Sequence, residues 1–443
     1  MNDKKEGTVS QKSAISICWL RRDLRLEDNA ALYYALKGEY PVLVLFIFDK
    51  NILDRLPKND ARVTFIYKTL EHIKKELQEK GSDLLITYGK PEAVWPDILK
   101  EYDVAAVYAN HDYEPYARER DDNMAEFLTS EKIAFKTYKD QVIFEKGEIL
   151  KADKSPYTVF TPFYKQWQAK LNDFYTKTYP TKKYFRNLFQ TRKLNIPLLK
   201  EMGFDKSDCK FPVLNYKSKL GDYAKERDYP ALDGTTHIGL HLRFGTLSIR
   251  KAVQDAIDAQ SNVWLSELAW REFYMMIIWH FPYAATDSFK KQYDKIKWRN
   301  DEAEFKTWCE GNTGYPLVDA GMRQMNETGW MHNRVRMVVA SFLSKHLLID
   351  WRWGEAYFAE KLLDYEMASN VGGWQWAAGS GNDAAPYFRV FNPELQTKRF
   401  DPKFEYIKHW VPEFGTKKYA QPIVEHTFAR ERILKVFKEA LNS

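Results

Sequence analysis

Between residues 15 and 140 short apolar runs alternate with amphipathic stretches. The runs "ISICWL", "VLVLFIF", "LLITYG", "AAVYAN" and "IAFKTY" are too short for buried helices and rich in β-branched and aromatic residues, so each predicts a strand. The stretches between them, such as "ARVTFIYKTLEHIKKELQEKG", repeat apolar positions three and four apart and predict helices. Strands and helices in this alternation predict an α/β domain over 15–140 with a mostly parallel, Rossmann-like sheet. No G-x-G-x-x-G follows the first run, so the usual dinucleotide-phosphate turn is absent. From 141 to 215 Pro, Lys, Tyr and Asn mix without a sustained period, which predicts a long interdomain connector packed partly on both neighbours. After "DYPALDGTTHIGLHLRFGTLS" the helical period persists to Ser443, so 216–443 reads as an all-α domain. Residues 1–14 are polar and read as a disordered N-terminus.

A chain of 443 residues is long enough for two domains, each with its own core. The aromatic share of 15% is high, and the 14 tryptophans are unevenly spread. Trp19, Trp95 and Trp167 precede residue 200, whereas all others lie between Trp264 and Trp410, so the helical half has an aromatic task. A net charge of +6 permits contact with polyanions without requiring it. Cys18, Cys209 and Cys309 are odd in number and far apart, which fits a reducing compartment and offers neither a disulfide framework nor a metal cluster. The start lacks the apolar stretch of a signal peptide, and no run reaches membrane-spanning length. The expectation is a cytoplasmic protein, nucleoid-associated while working if the source is bacterial, with no membrane contact and no partner subunit.

Candidate chemistry gathers in the helical half. In "SELAWREFYMMIIWH" Glu267, Trp270, Arg271 and Tyr274 share one helical stripe, so a carboxylate, an indole, a guanidinium and a phenol face the same way. An exposed Glu267/Arg271 pair beside core aromatics is the plainer alternative. "GWMHNRVRM" repeats the design with Trp330, Asn333, Arg334 and Met337, and the spacing turns Arg336 to another side. An amide, indoles and a thioether suit the edge and face of a flat ring. Thr235, Thr236, His237 and Gly239 precede one helical stretch, and Thr246 and Ser248 another; hydroxyls and helix N-termini suit a pyrophosphate, with ordinary capping as the alternative. His237 and His241 have no third ligand beside them, so no metal is expected. Asp364, Glu366 and Asn370 lead into "NVGGWQWAAGSGNDAAPYFRVFNP", where glycines let backbone approach a flat ligand and a carboxylate suits Arg336. Arg334, Arg389, Lys398 and Arg399, interleaved with aromatic residues, suit a phosphate backbone with a base stacked inside.

From "CWLRRDLRLEDNAAL" through "WREFY", "GYPLVDAGMRQMNETGWMHNRVRM" and the glycine-tryptophan stretch to "YAQPIVEH", the chain resembles the cryptochrome/photolyase family, most closely class I cyclobutane pyrimidine dimer photolyases. The resemblance implies FAD folded into a U within the helical domain, surrounded by Tyr223, Thr235, Thr236, Ile238, Glu267, Arg271, Trp330, Asn333, Arg336, Asp364, Glu366 and Asn370. Asn370 matches the residue facing flavin N5. Trp374, Trp351 and Trp298 match an electron relay. Glu267, Trp270, Tyr274, Asn333, Arg334, Met337, Trp376 and Arg389 match the surroundings of a dimer flipped out of UV-damaged DNA. Of these, Glu267, Asn333 and Asn370 are the implied catalytic residues.

Glu366 replaces the usual Asp and Gly239 the usual phosphate-binding Ser. Tyr116 and Ala117 stand where folate-binding members carry Asn and Glu, and the folate Cys-Lys pair is missing after Pro282. A deazaflavin-type pigment, another pigment or no second chromophore therefore remain as alternatives. A (6-4) photolyase is disfavoured because "WMHNRVRM" lacks that group's paired His. A signalling cryptochrome is disfavoured by Asn370, Trp376 and the short tail, and a light-independent flavin oxidoreductase by the missing nicotinamide fingerprint.

Overall fold

The computed structural model describes residues 13–442; all but two residues of the expected disordered N-terminus lie outside the described residues. Five strands, β1 (Ile15–Leu20), β2 (Val42–Asp49), β3 (Leu84–Gly89), β4 (Val104–Asn110) and β5 (Ala134–Tyr138), form one sheet in the order β3-β2-β1-β4-β5. Every pairing is parallel, with Cys18 opposite Val44 on one side and Tyr108 on the other. All five apolar runs of the sequence are these strands. The near-continuous hydrophobicity of the three inner strands β1, β2 and β4 follows from burial on both faces, whereas the edge strand β5 is largely exposed and carries Lys136 and Thr137. Cys18, Leu20, Val44 and Phe46 pack under α1 (Ala30–Leu36) and α2 (Ala61–Gln78). Ile17, Trp19, Leu43 and Leu45 pack under α3 (Pro91–Glu101) and α4 (Pro115–Ser130).

Strand order reverses between β1 and β4, and in open α/β sheets that point carries a crevice at the carboxyl ends. Here the helical half closes over it. Leu240, Phe244 and Leu363 join the same core cluster as β1 and β2, and Phe244 packs on Phe65 with ring centroids 5.6 Å apart.

Residues 141–215 divide between the two cores. Phe185, Leu188, Met202 and Phe204 pack with the sheet, whereas Ile143, Phe144 and the helix α5 (Phe160–Lys170) pack with the helical half. One buried carboxylate secures the second group. Glu272 accepts the backbone N–H of Ile143 at 2.7 Å and of Phe144 at 3.1 Å, and the indole N–H of Trp167 at 2.7 Å.

Beyond residue 215 every named element is helical. The ones that matter here are α6 (Ile249–Asp258), α7 (Asn262–His280), α8 (Pro316–Thr328), α9 (Asn333–Ser341), α10 (Trp351–Lys361), α11 (Met367–Ala378) and α12 (His426–Asn442). The longest, α7, is apolar on several sides because it meets α5, α6 and α11 at once. No helix among the described residues is long and apolar enough to cross a membrane.

Candidate functional site

Helices α7, α9 and α11 enclose a cavity of about 410 Å³. The first helix contributes Glu267, Trp270, Arg271 and Tyr274, which confirms the stripe expected there. The expected Glu267/Arg271 pair does not form: Glu267 accepts from Arg227 at 2.5 Å, and Arg271 donates to Glu366 at 3.0 Å. Trp270 is held flat against Phe160, with centroids 3.7 Å apart and planes 11° from parallel.

The second stripe needs correction. Helix α9 begins only at Asn333, capped by the His332 ring nitrogen accepting from the Arg334 N–H at 3.2 Å, so Trp330 lies before it and not on it. Asn333, Arg336 and Met337 face the cavity, and Arg334 turns away to Asp228 at 2.8 Å with its guanidinium 4.4 Å from the Phe400 ring. Trp330 instead lines an adjoining cavity of about 300 Å³ with His237 and Asp364. Asp364 borders both spaces, and its carboxylate accepts from Arg336 at 2.9 and 3.1 Å, the carboxylate–arginine pairing the sequence suggested.

From the third helix Asn370, Trp374 and Trp376 line the main cavity. The Asn370 amide donates to the Glu355 carbonyl at 3.1 Å and to its carboxylate at 2.9 Å, which leaves the amide oxygen free to accept. Burial raises the Glu355 carboxyl, against the Asn370 and Tyr365 hydrogen bonds. The adjacent glycines of "NVGGW" serve different ends. A Cβ at Gly372 would stand 2.2 Å from the Tyr274 ring, whereas one at Gly373 would meet nothing within 4 Å and would project beside the cavity.

Residues from the loop before α6 stand outside the main cavity. The Thr235 hydroxyl oxygen is buried with no hydrogen-bond partner among the described residues, while the Thr236 hydroxyl accepts from the Trp264 indole at 3.2 Å. Ile238 and Tyr223 are core residues around α7. Ser248 caps α6 through the Arg250 N–H at 3.2 Å, as the capping alternative had it, whereas Thr246 caps no helix and bonds the His241 ring at 2.7 Å. Gly239 has a steric reason, since a Cβ there would lie 2.7 Å from an Asp364 carboxylate oxygen.

Trp374 and Trp351 are buried in one apolar cluster, and Trp298 packs against it half-exposed. Neither buried indole N–H has a hydrogen-bond partner among the described residues. Arg389 is exposed on the turn after α11. In the α/β half, Tyr116 donates to Asp49 at 2.5 Å.

One group of residues was not singled out in the sequence. Arg22, from the loop after β1, donates to Glu366 at 2.6 Å, Asp112 at 3.1 Å and Glu114 at 3.0 Å. Burial pushes the Glu366 carboxyl up, but the charges of Arg271, Arg22 and Arg243 outweigh it and hold the group below its ordinary range. Asp112 balances burial against Arg22 and Arg120 and falls to about 2. An ion-pair network thus runs from the cavity wall to the carboxyl end of the sheet. Arg22 stands in the quoted "RRDLR", but nothing local announces a partner 344 residues away. Arg227 and Glu355 were missed for the same reason.

Comparison with known proteins agrees with this architecture. Residues 16–183 match the family described as "DNA photolyase", and 264–416 match "FAD binding domain of DNA photolyase". A deoxyribodipyrimidine photo-lyase of Synechococcus sp. is 37% identical, over 95% of this chain and 96% of its own. A bacterial class III photolyase from Agrobacterium tumefaciens superposes with a TM-score of 0.84 at 31% identity, covering 99% of this chain and 100% of the other. A Synechocystis cryptochrome superposes at 0.86 with 27% identity, covering 97% and 100%. With both family descriptions matched in order along one sheet-plus-helices chain, the protein belongs to the DNA photolyase family and carries that family's FAD-binding domain.

Proposed function

We propose that this protein is a class I enzyme that splits cyclobutane pyrimidine dimers in UV-damaged DNA under blue or near-UV light. The observation that carries the reading is the cavity on which Glu267, Trp270, Asn333, Met337 and Trp376 converge with Asn370 and the Arg336–Asp364 pair. A carboxylate, an amide and flat apolar walls suit a flipped pyrimidine pair. In this reading 15–140 is the antenna-side domain, 141–215 the connector, and 216–443 the flavin and lesion domain of a cytoplasmic monomer. A second chromophore, if bound, is not held by the folate contacts.

FAD fits the residues present. The two cavities share Asp364, the buried Thr235 hydroxyl lacks a partner of the kind a phosphate oxygen supplies, and Gly373 leaves room for a flat ring. Tyr223, Thr235, Thr236, Ile238, Glu267, Arg271, Trp330, Asn333, Arg336, Asp364, Glu366 and Asn370 would surround it. Trp330 would contribute from the adjoining cavity, and Thr236, whose hydroxyl accepts from Trp264, would keep its O–H to donate to a phosphate oxygen. When bound, reduced and excited by light, the cofactor supplies one electron that opens the cyclobutane ring and is then recovered.

The chain's own residues orient and stabilise. Phe160 fixes the plane of Trp270, so one wall of the pocket is rigid. Glu267 would exchange Arg227 for the dimer and hydrogen-bond the base that carries the extra charge. Asn370, with both amide protons committed to Glu355, offers only an acceptor oxygen, which suits an N–H at flavin N5. Trp374 at the cavity wall, buried Trp351 and half-exposed Trp298 would carry electrons inward to oxidised flavin. Tyr274 would pack beside the lesion, and Arg389 and Arg334 would meet phosphates.

The test is light-dependent recovery of thymine from an oligonucleotide with one cyclobutane dimer, using protein whose flavin has been reduced, against a dark control. Recovery supports the reading. No recovery from protein that still photoreduces would redirect it to the (6-4) lesion or to signalling.

A further inference from the structure

Helix α9 continues into a π-helical turn, Phe342–His346, that carries Lys345 into the interior, where it is 1% exposed. Among the described residues no carboxylate lies within ion-pair distance of its ammonium. Its hydrogen-bond acceptor is the backbone carbonyl of Arg389, at 2.8 Å. The nearby titratable groups do not offset the charge. Arg389 is itself a cation, His346 is held low by burial and shares a 2.8 Å hydrogen bond with His426, and Arg432 of α12 donates to the His346 carbonyl. Burial, with a smaller contribution from Arg389, pushes the Lys345 amine down to about 7. An apolar side chain of similar length would fill this position without burying a charge, so a lysine here works against stability.

What Lys345 holds is a turn that faces outward. Phe388 is 60% exposed, and the exposed Arg389 side chain has no ion-pair partner among the described residues. Phe391 packs on Trp376 with centroids 6.3 Å apart, and Trp376 lines the main cavity. The other end of the segment is tied down separately: the Asn382 amide donates to the Thr158 carbonyl at 3.1 Å, and Asp383 accepts from the Phe160 N–H at 2.9 Å.

We propose that Lys345 is a positioning residue for recognition of damaged DNA: by drawing the Arg389 carbonyl into the core it presents the Arg389 side chain outward to phosphate and seats Phe391 against Trp376. The proposal rests on the reading of the cavity as the lesion pocket. Lys345 lines neither cavity and is buried, so its effect passes through the turn.

The experiment compares FAD-loaded wild type with Lys345→Met, Lys345→Arg and Arg389→Ala. Binding in the dark is followed by fluorescence anisotropy with an oligonucleotide carrying one cyclobutane dimer and with its undamaged counterpart, alongside Tm and FAD content. The expected Met variant keeps its FAD and melts at a higher temperature, yet binds the damaged oligonucleotide about tenfold more weakly, or about 1.4 kcal/mol, because the turn no longer presents Arg389 in place. The Arg variant, which still has a donor for the carbonyl, recovers part of that loss. Arg389→Ala weakens binding without raising Tm. A Met variant that binds like wild type while Arg389→Ala is impaired overturns the role of Lys345 alone. A Met variant that loses Tm and binding together, unrescued by Arg, makes Lys345 an ordinary core residue and overturns it as well. A wild-type protein with no preference for the damaged oligonucleotide overturns the lesion-pocket reading, and the proposal with it.

Discussion

Adjacent glycines in α11 give a sharp test of where the flavin lies. Alanine at either position improves the helix by about 1 kcal/mol, since glycine is that much less favourable in a helix interior. At Gly372 the new Cβ would stand 2.2 and 2.3 Å from two carbons of the Tyr274 ring, more than about 1 Å inside ordinary carbon contact. Tyr274 is packed between Trp270 and Phe273 and cannot retreat freely. Overpacking of that kind costs roughly 1–3 kcal/mol, so Gly372→Ala ends between neutral and about 2 kcal/mol destabilised. At Gly373 no atom outside the adjoining helix backbone lies within 4 Å of the new methyl, so the apo-protein should gain about 1 kcal/mol, or about 1 °C in Tm for a chain of this size. The same methyl would intrude on a flat ring lying against α11. Charging the same roughly 1–3 kcal/mol to the complex predicts FAD binding weaker by about fivefold to 150-fold. The assay is thermal unfolding of apo-protein together with FAD titration followed by flavin fluorescence. Gly373→Ala with wild-type FAD affinity would refute the placement of the flavin beside this helix, and a stabilised Gly372→Ala would refute the packing argument.

Glu267→Ala should lower the quantum yield of repair more than it lowers FAD retention; equal yields in the two proteins would sink the assignment. Gly239→Ala should force Asp364 away from its 2.9 Å bond to Arg336 and weaken FAD by about 1–3 kcal/mol, read in the same titration; unchanged affinity would show that the loop yields instead. Arg22→Met should destabilise the protein by about 3–5 kcal/mol in urea at neutral pH, because Glu366 and Asp112 keep their charges without that partner. The sign with pH follows from depressed carboxyl groups: their contribution is complete above the unfolded carboxylate range near pH 4 and is lost as pH falls through the folded value, about 2 for Asp112. Wild type should therefore lose more stability than the variant on acidification, and parallel acid curves would count against the network.

The sequence by itself determined the five strands: the inner strands β1, β2 and β4 are near-continuously apolar because both faces are buried, and the edge strands β3 and β5 are marked by short length and β-branched or aromatic residues. It also determined the stripe on α7, because a helix without kinks keeps residues at i, i+3, i+4 and i+7 on one side. The long motifs carried the family. Periodicity failed where its phase depended on a boundary: α9 starts at Asn333, and that start turned Arg336 inward and Arg334 out to Asp228. The partner of Thr236, the use of Gly239 beside Asp364, and the exchange of an expected Glu267/Arg271 pair for Arg227 and Glu366 were decided by packing between elements far apart in the chain. So were Arg22, which reaches Glu366 from the other domain, and Lys345, whose acceptor is a carbonyl that any residue could supply. Sequence pattern records which side of an element is apolar, whereas the partner of a buried charge is fixed only when two elements are brought within hydrogen-bond range, and that is a property of the tertiary structure.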